Sequence, residues 1–330
     1  MIVERTLADA VRDFCARTGA DPMLVQDAGG NVSWKDDGVL WVKASGTRMA
    51  DALARPVFVP VDLAQASTQP RPPVLGAGDG AALRPSIETM LHALMPQRVV
   101  VHLHAIEAIA HLVRADDAAT IASLLGDLRH AWVPYRQPGL PLAAAVSDAL
   151  RANPAADVLL LANHGVVVGG DDVEDVERKL ERLLVRLRQP ARELDAGAVP
   201  ASAPAGWALP RDAGLHALAF DGGLLERTRG AWAICPDHVV FLGPEAPLFD
   251  AVEAVGTPHP QQAAAIVPGA GVFVSDADPQ RRQTAETMLR CFVEILRRVP
   301  AGVPLRTLPD AEIAALVHWE AEAYRRAMKH

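Results

Sequence analysis

Residues 85–104 read PSIETMLHALMPQRVVVHLH, and this stretch organises the rest of the chain. It holds a Ser-x-Glu at an expected helix start (86–95, stopped by Pro96) and then an apolar strand, 99–104, that closes on His-x-His. Side chains two apart on a strand share a face, so His102 and His104 can both point at one ion. A His-x-His alone is a weak signal, because surface pairs are common. A third imidazole strengthens it. His164 stands in LLLANHGVVVGG, within an Asn-His-Gly turn between two apolar runs, where a polar side chain is not core filler and Gly165 implies close backbone approach. Three neutral imidazoles suit a catalytic divalent cation, with a position left open for substrate.

Glu88 reads in two ways that are compatible. With Ser86 as N-cap it is first-turn helix chemistry, favoured by the helix dipole. A carboxylate held there can also face the metal and take a proton from carbon beside a carbonyl. Gly30-Asn31, Ser45-Gly46 and Ser86 are each ordinary turn residues. Grouped at a helix N-terminus, they would hold a phosphate or another oxyanion, and Lys43 is either a positive charge beside them or a solvent-facing strand residue. Tyr135, one of two tyrosines, lies in the irregular VPYRQPG segment, as a proton donor or as an amphipathic loop anchor. His92, His111, His130, His216, His259 and His318 carry no partner signal, while His238 in CPDHVVFLG begins an expected strand that would reach towards the first domain's pocket.

Outward from the histidines, residues 5–18 form a helix ended by Gly19, and 32–34 and 39–42 form a hairpin around Asp36-Asp37-Gly38. A strand is expected at 56–63, helices at 106–113 and 143–153, buried strands at 158–162 and 166–168, and a charged amphipathic helix at 173–188. Residues 190–209 are Ala/Pro-rich without periodicity and read as a linker. This divides the chain into a catalytic domain, 1–189, and a C-terminal α/β domain, 210–330, with strands at 231–234, 239–242, 265–267 and 272–274 and helices at 279–298 and 310–328. The C-terminal part reads as a degenerate repeat. Asn163-His164-Gly165 falls opposite Gly269-Ala270-Gly271, and PQRVVVHLH opposite PDHVVFLGP, so the second copy has lost its histidines.

Composition narrows the partners. The 330 residues carry 32 Lys plus Arg against 40 Asp plus Glu, a formal charge of −8, which argues against nucleic acid. Three scattered cysteines, Cys15, Cys235 and Cys291, make no disulfide framework and read as buried thiols in a reducing compartment. The charged, amphipathic N-terminal stretch is unlike a signal peptide, and no apolar run approaches a membrane span, so a soluble cytoplasmic protein is expected.

The set GGNVS, KASGT, PSIE, HLH, VPYRQPG and NHGVVVGG, in this order over about residues 5–188, resembles the class II aldolase/adducin-head family. PDHVV, VPGAGVFV and LPDAEIAALVHWEAEAY resemble the segment that follows the aldolase module in bacterial aldolase–short-chain-dehydrogenase fusions, although no Gly-x-Gly-x-x-Gly follows a strand here. The resemblance implies a three-layer α/β/α fold around a mixed, largely antiparallel sheet. It implies zinc, or Mn2+ or Co2+ in its place, on His102, His104 and His164, with Glu88 as acid/base. It places Asn31, Ser45, Gly46 and Ser86 at the substrate phosphate and Tyr135 as a proton donor from a neighbouring subunit of a homo-oligomer. The activity implied is a zinc-dependent aldolase making or breaking a carbon–carbon bond in a ketose or ketose phosphate through a metal-stabilised enediolate. A sugar-phosphate epimerase, a dehydratase or a non-catalytic adducin-head-like binding module are the alternatives. Ile87 replaces the second serine usual in the sugar-phosphate aldolases, which leaves a non-phosphorylated substrate open, and the family's C-terminal tyrosine has no clear counterpart.

Overall fold

The computed structural model describes residues 6–76, 83–259 and 262–317. Among these, Cα packing separates a first unit, up to Leu112 together with Asp117–Arg188, from a second, Val113–Asp116 together with the residues from Gln189 onward.

The first unit opens with α1 (Leu7–Gly19), capped by Thr6, whose hydroxyl accepts from the Asp9 N–H. Gly19 is the last residue of this helix, as expected, with Ala20 as its C-cap. A Cβ there would come within 2.3 Å of the Ala50 nitrogen, so the glycine serves close packing. Strands β1 (Asn31–Asp36) and β2 (Val39–Lys43) form the expected hairpin. Its two-residue turn, Asp37-Gly38, has φ of 46° and 78°, the left-handed pair that matches strand twist. Then come β3 (Phe58–Asp62), α2 (Leu63–Ala66), α3 (Thr89–Leu94), β4 (Val99–Leu103), α4 (Ile106–Leu112), α5 (Asp117–Leu125), β5 (His130–Val133), α6 (Leu140–Ala152), β6 (Val158–Leu161), β7 (Gly165–Gly170) and α7 (Val173–Leu187). The helix α5 has no counterpart in the sequence reading.

The seven strands make one sheet in the order β3-β2-β1-β4-β7-β6-β5. Every neighbouring pair is antiparallel except β5–β6. Alternation along the strands sorts the core into two faces. Val99, Val101, Val158, Leu160, Val166 and Val168 pack with α1, α4, α5 and α7. Val100, Leu159, Leu161 and Val167 pack with Leu91 of α3 and Leu142 and Val146 of α6. The result is the expected three-layer α/β/α arrangement. In α7 the buried residues Val173, Val176, Leu180, Leu183 and Leu187 recur at helical spacing, each adding about 1.5–3 kcal/mol of burial, and Asp172 caps the helix.

In the second unit a three-stranded antiparallel sheet, ordered β8-β10-β9, is built from β8 (Trp207–Ala208), β9 (Ala264–Val267) and β10 (Gly271–Ser275). Its helices are α8 (Ala217–Phe220), α9 (Gly222–Gly230), α10 (Pro236–Leu242), α11 (Pro279–Leu296) and α12 (Asp310–Val317). The strands expected at 231–234 and 239–242 are absent, and the second run lies in helix α10. Pro236 at its first turn presets helical φ, and a buried apolar run of four residues carries no period to choose strand over helix. PDHVVFLGP therefore does not match PQRVVVHLH in structure.

The other half of the suspected repeat has a local counterpart. Leu161 pairs with Gly165 and Val267 with Gly271 across three-residue connections. The middle residue of each, Asn163 and Gly269, is left-handed at φ 55° and 72°. The stretch 190–209 lacks helix or strand up to residue 206, then forms β8. It is fastened to its own unit by Arg192, which forks onto Asp221 at 2.7 and 2.8 Å. His318 and the C-terminal part of the expected last helix lie outside the described residues.

All three cysteines are buried free thiols. Burial pushes Cys15 up to about 12 and raises Cys235 and Cys291 as well, so they pack as small hydrophobes. Among the described residues, no helix is long and apolar enough to cross a membrane.

Candidate active site

The site forms where the end of β4 meets the start of β7. His102 pairs with Val167 across these strands and with Asn31 on β1, so its ring lies on the sheet face that carries α3. His104 follows one residue beyond the strand. His164 arrives from the β6–β7 turn, which left-handed Asn163 tightens, and its own N–H donates to Leu161 O at 3.1 Å. The absent side chain of Gly165 lets the Leu103 carbonyl and the His102 ring close in.

The three ring centroids lie 4.8–5.1 Å apart. His104 Nε2 is 3.2 Å from His102 Nε2, and one ligand atom from each histidine falls within 4.8 Å of the others. His102 Nδ1 is 3.0 Å from Val166 O. A carbonyl only accepts, so Nδ1 carries the proton and Nε2 turns its lone pair inward. Gly29 supports His104: a Cβ there would stand 3.1 Å from His104 Nδ1.

Glu88 completes the cluster. Its carboxylate is buried, with Oε2 3.6 Å from His102 Nε2 and Oε1 3.6 Å from His164 Nε2. Oε2 accepts from Asn31 Nδ2 at 2.7 Å, while Oε1 has no hydrogen bond. Three convergent imidazoles beside a buried carboxylate oxygen that lacks a donor fit a divalent cation by the chemistry of the donor set.

The loop elements gather nearby. An isolated bridge joins Ala44 to Pro85, and Ser45 N donates to Arg84 O at 2.9 Å, so the Ser45-Gly46 turn lies beside the segment that leads to Glu88. Ser86 is not the cap of α3. The helix begins at Thr89, with Glu88 in the cap position making no side-chain cap bond, and the Ser86 hydroxyl accepts from the Glu88 N–H at 3.2 Å. The reason is that the Glu88 carboxylate turns to the histidines instead of back onto its own helix.

Lys43 faces the interior, not solvent. Its ammonium donates to Thr47 O at 2.6 Å and Ala28 O at 3.3 Å, tying two loops together. Tyr135 is half-buried in the loop after β5, three strands along the sheet from β4. His238 does not begin a strand. It lies in α10 of the second unit, its ring edge-on to Phe292 at 5.5 Å.

Two features near the site carry no signal of their contacts in the sequence. His92 of α3 is fully buried, with Nδ1 2.8 Å from Ser33 Oγ. Burial, and then repulsion from His102, holds its pKa well below the ordinary imidazole value, so it is neutral. Gly29 is the other. A glycine pair ahead of Asn31 was visible, but not which ring would lean on it.

The chain is similar to known proteins over its first half. The model of the class II aldolase and adducin N-terminal domain matches residues 7–186. The chain belongs to the class II aldolase and adducin N-terminal domain family. A Bacillus subtilis protein described as the uncharacterized oxidoreductase YuxG is 30% identical over 190 residues, covering 52% of this chain and 27% of that protein. The chain thus spans about a quarter of this relative's length. Methylthioribulose-1-phosphate dehydratase of Klebsiella pneumoniae is 31% identical over 175 residues, covering 47% of this chain and 80% of the enzyme. Among solved structures, the N-terminal class II aldolase domain of a conserved protein from Thermoplasma acidophilum is 25% identical, with a TM-score of 0.46, covering 57% of this chain and 93% of that one.

Proposed function

We propose that the first unit is a metal-dependent lyase that makes or breaks a carbon–carbon bond in a small hydroxyketone, a ketose or ketose phosphate. The observation that carries this reading is Glu88 Oε1, a buried carboxylate oxygen without a hydrogen-bond donor, 3.6 Å from His164 Nε2. His102, His104 and His164 would hold the cation, zinc or in its place Mn2+ or Co2+. Such an ion supplies Lewis-acid polarisation of a carbonyl.

Glu88 takes the proton from the carbon next to that carbonyl, the electron pair left there adds to an aldehyde, and Tyr135 of a neighbouring copy gives a proton to the aldehyde oxygen. In cleavage that hydroxyl returns its proton to the tyrosine as the carbon–carbon bond breaks, and the Glu88 carboxylic acid protonates the carbon left behind. The surrounding burial keeps bulk water from the carbanionic carbon. Ser45, Gly46 and Ser86 form a cradle for a phosphate or another anion of the substrate, with half-buried Ile87 between Ser86 and Glu88 limiting its polarity. Tyr135 serves as a proton donor to a neighbouring subunit of a homo-oligomer. The reduced thiols are consistent with a cytoplasmic setting.

A second reading, elimination of water from a ketose phosphate, is supported by the 31% identity to the dehydratase and uses the same proton abstraction. Metal analysis of the purified protein, with parallel assays of cleavage and of water loss on ketose 1-phosphates, tests both. Stoichiometric divalent metal and turnover that Glu88→Gln abolishes are expected. A protein that takes up no divalent metal, or one whose turnover survives Glu88→Gln, overturns the proposal.

A further inference from the structure

The Asn31 amide lies between two roles. The family resemblance assigns Asn31 to the substrate's phosphate, yet its amide nitrogen is already engaged by Glu88 Oε2 at 2.7 Å. The bond is buried at both ends. An ionised carboxylate only accepts, so the amide must present nitrogen to it, and a buried charge-assisted bond of this length is costly to break. Backbone register backs the contact. Asn31 pairs with His102 across β1–β4, so both side chains leave the sheet on the face where Glu88 arrives.

We infer that Asn31 is a positioning residue for Glu88: it locks Oε2 and so makes Oε1 the oxygen that exchanges protons with substrate. The inference rests on Glu88 as the acid/base. The two carboxylate oxygens are chemically equivalent in isolation. Here one has a donor, and the other has none and lies towards His164. Substrate carbon therefore meets a carboxylate whose rotation is stopped, and catalysis depends on that angle more than substrate affinity does.

The test is solvent-deuterium exchange into a hydroxyketone and its phosphate, run on the metal-loaded wild type, Asn31→Ala, Asn31→Asp and Glu88→Gln. Inorganic phosphate binding is measured by calorimetry on each, with metal stoichiometry and circular dichroism as checks. The expected result for Asn31→Ala is a kcat for exchange lower by about 10–100-fold, with KM and phosphate affinity within about twofold of wild type. Asn31→Asp, of equal size but without the donor, shows the same split and stands in if the alanine variant does not fold. Wild-type kcat in both variants overturns the inference. So does a rise of tenfold or more in KM and phosphate Kd with kcat retained, which would make Asn31 an anion ligand. Exchange in the wild type that persists in Glu88→Gln sinks the acid/base reading instead, and no exchange in any protein sinks both.

Discussion

Gly165 meets Leu103 so closely across the β4–β7 pair that a Cβ on Gly165 would lie 2.3 Å from the Leu103 carbonyl oxygen and 3.3 Å from His102 Cε1. The residue next to one imidazole is therefore pressed against the strand that bears His102 and leads into His104. Gly165→Ala is expected to cost about 1–3 kcal/mol in urea unfolding and to lower metal stoichiometry, because the strands must part to admit the methyl group. A variant with full stability and full metal would mean that this contact is slack.

Glu88→Gln keeps size and hydrogen-bonding capacity while removing the base. The expected outcome is a folded, metal-loaded protein with kcat reduced by about 10²–10⁴-fold. Turnover assays beside metal analysis separate this from collapse of the site.

Ligand linkage gives a test that needs no substrate. If His102, His104 and His164 bind a divalent cation only in the folded protein, free ion at a hundred times its Kd stabilises the first unit by about 2.7 kcal/mol. Thermal scans with chelator and then with added zinc should show a rise in Tm. His164→Ala should flatten it. An unchanged Tm in the wild type counts against the centre.

The second unit has its own pH signature. The Arg192 guanidinium, with the Leu224 and Asp195 N–H groups, holds the Asp221 carboxyl down at about 2. The unfolded chain binds this proton near pH 3.9, so the contribution is complete above that pH and is lost as pH falls from about 4 to about 2. Asp221→Asn retains a helix cap but not the charge. It should cost about 1–2 kcal/mol at pH 7, discounted because Arg192 is half exposed, and the difference should shrink on acidification. Urea unfolding of both proteins between pH 7 and pH 3 reads it directly.

Legibility varied with how local the signal was. The β1–β2 hairpin was written in Asp37-Gly38 and its flanking alternation, and α7 in its spaced leucines and valines. Val239–Leu242 is buried, apolar and short, so in sequence it suits a strand as well as helix α10, and Pro236 is the sole local arbiter. A serine two residues ahead of a carboxylate reads as a cap whether that carboxylate faces its helix or a distant strand, so Ser86 carries the cap signal without the cap geometry. His92 is structural, as the absence of a partner signal allows, but nothing in HALMP announces its partner Ser33, 59 residues earlier.

What the sequence determined by itself was the donor chemistry and the strands that carry it: His-x-His at a strand end, His164 in a turn that only a small following residue permits, and Glu88 close to a helix start. Those are statements about period and turn geometry, which a few consecutive residues set. What only the tertiary structure decided was how the carboxylate is held, with Asn31 on one oxygen and the other left without a donor. That depends on the register of β1 against β4 and on where α3 docks. Both are settled by packing between segments far apart in the chain, where no local pattern is written.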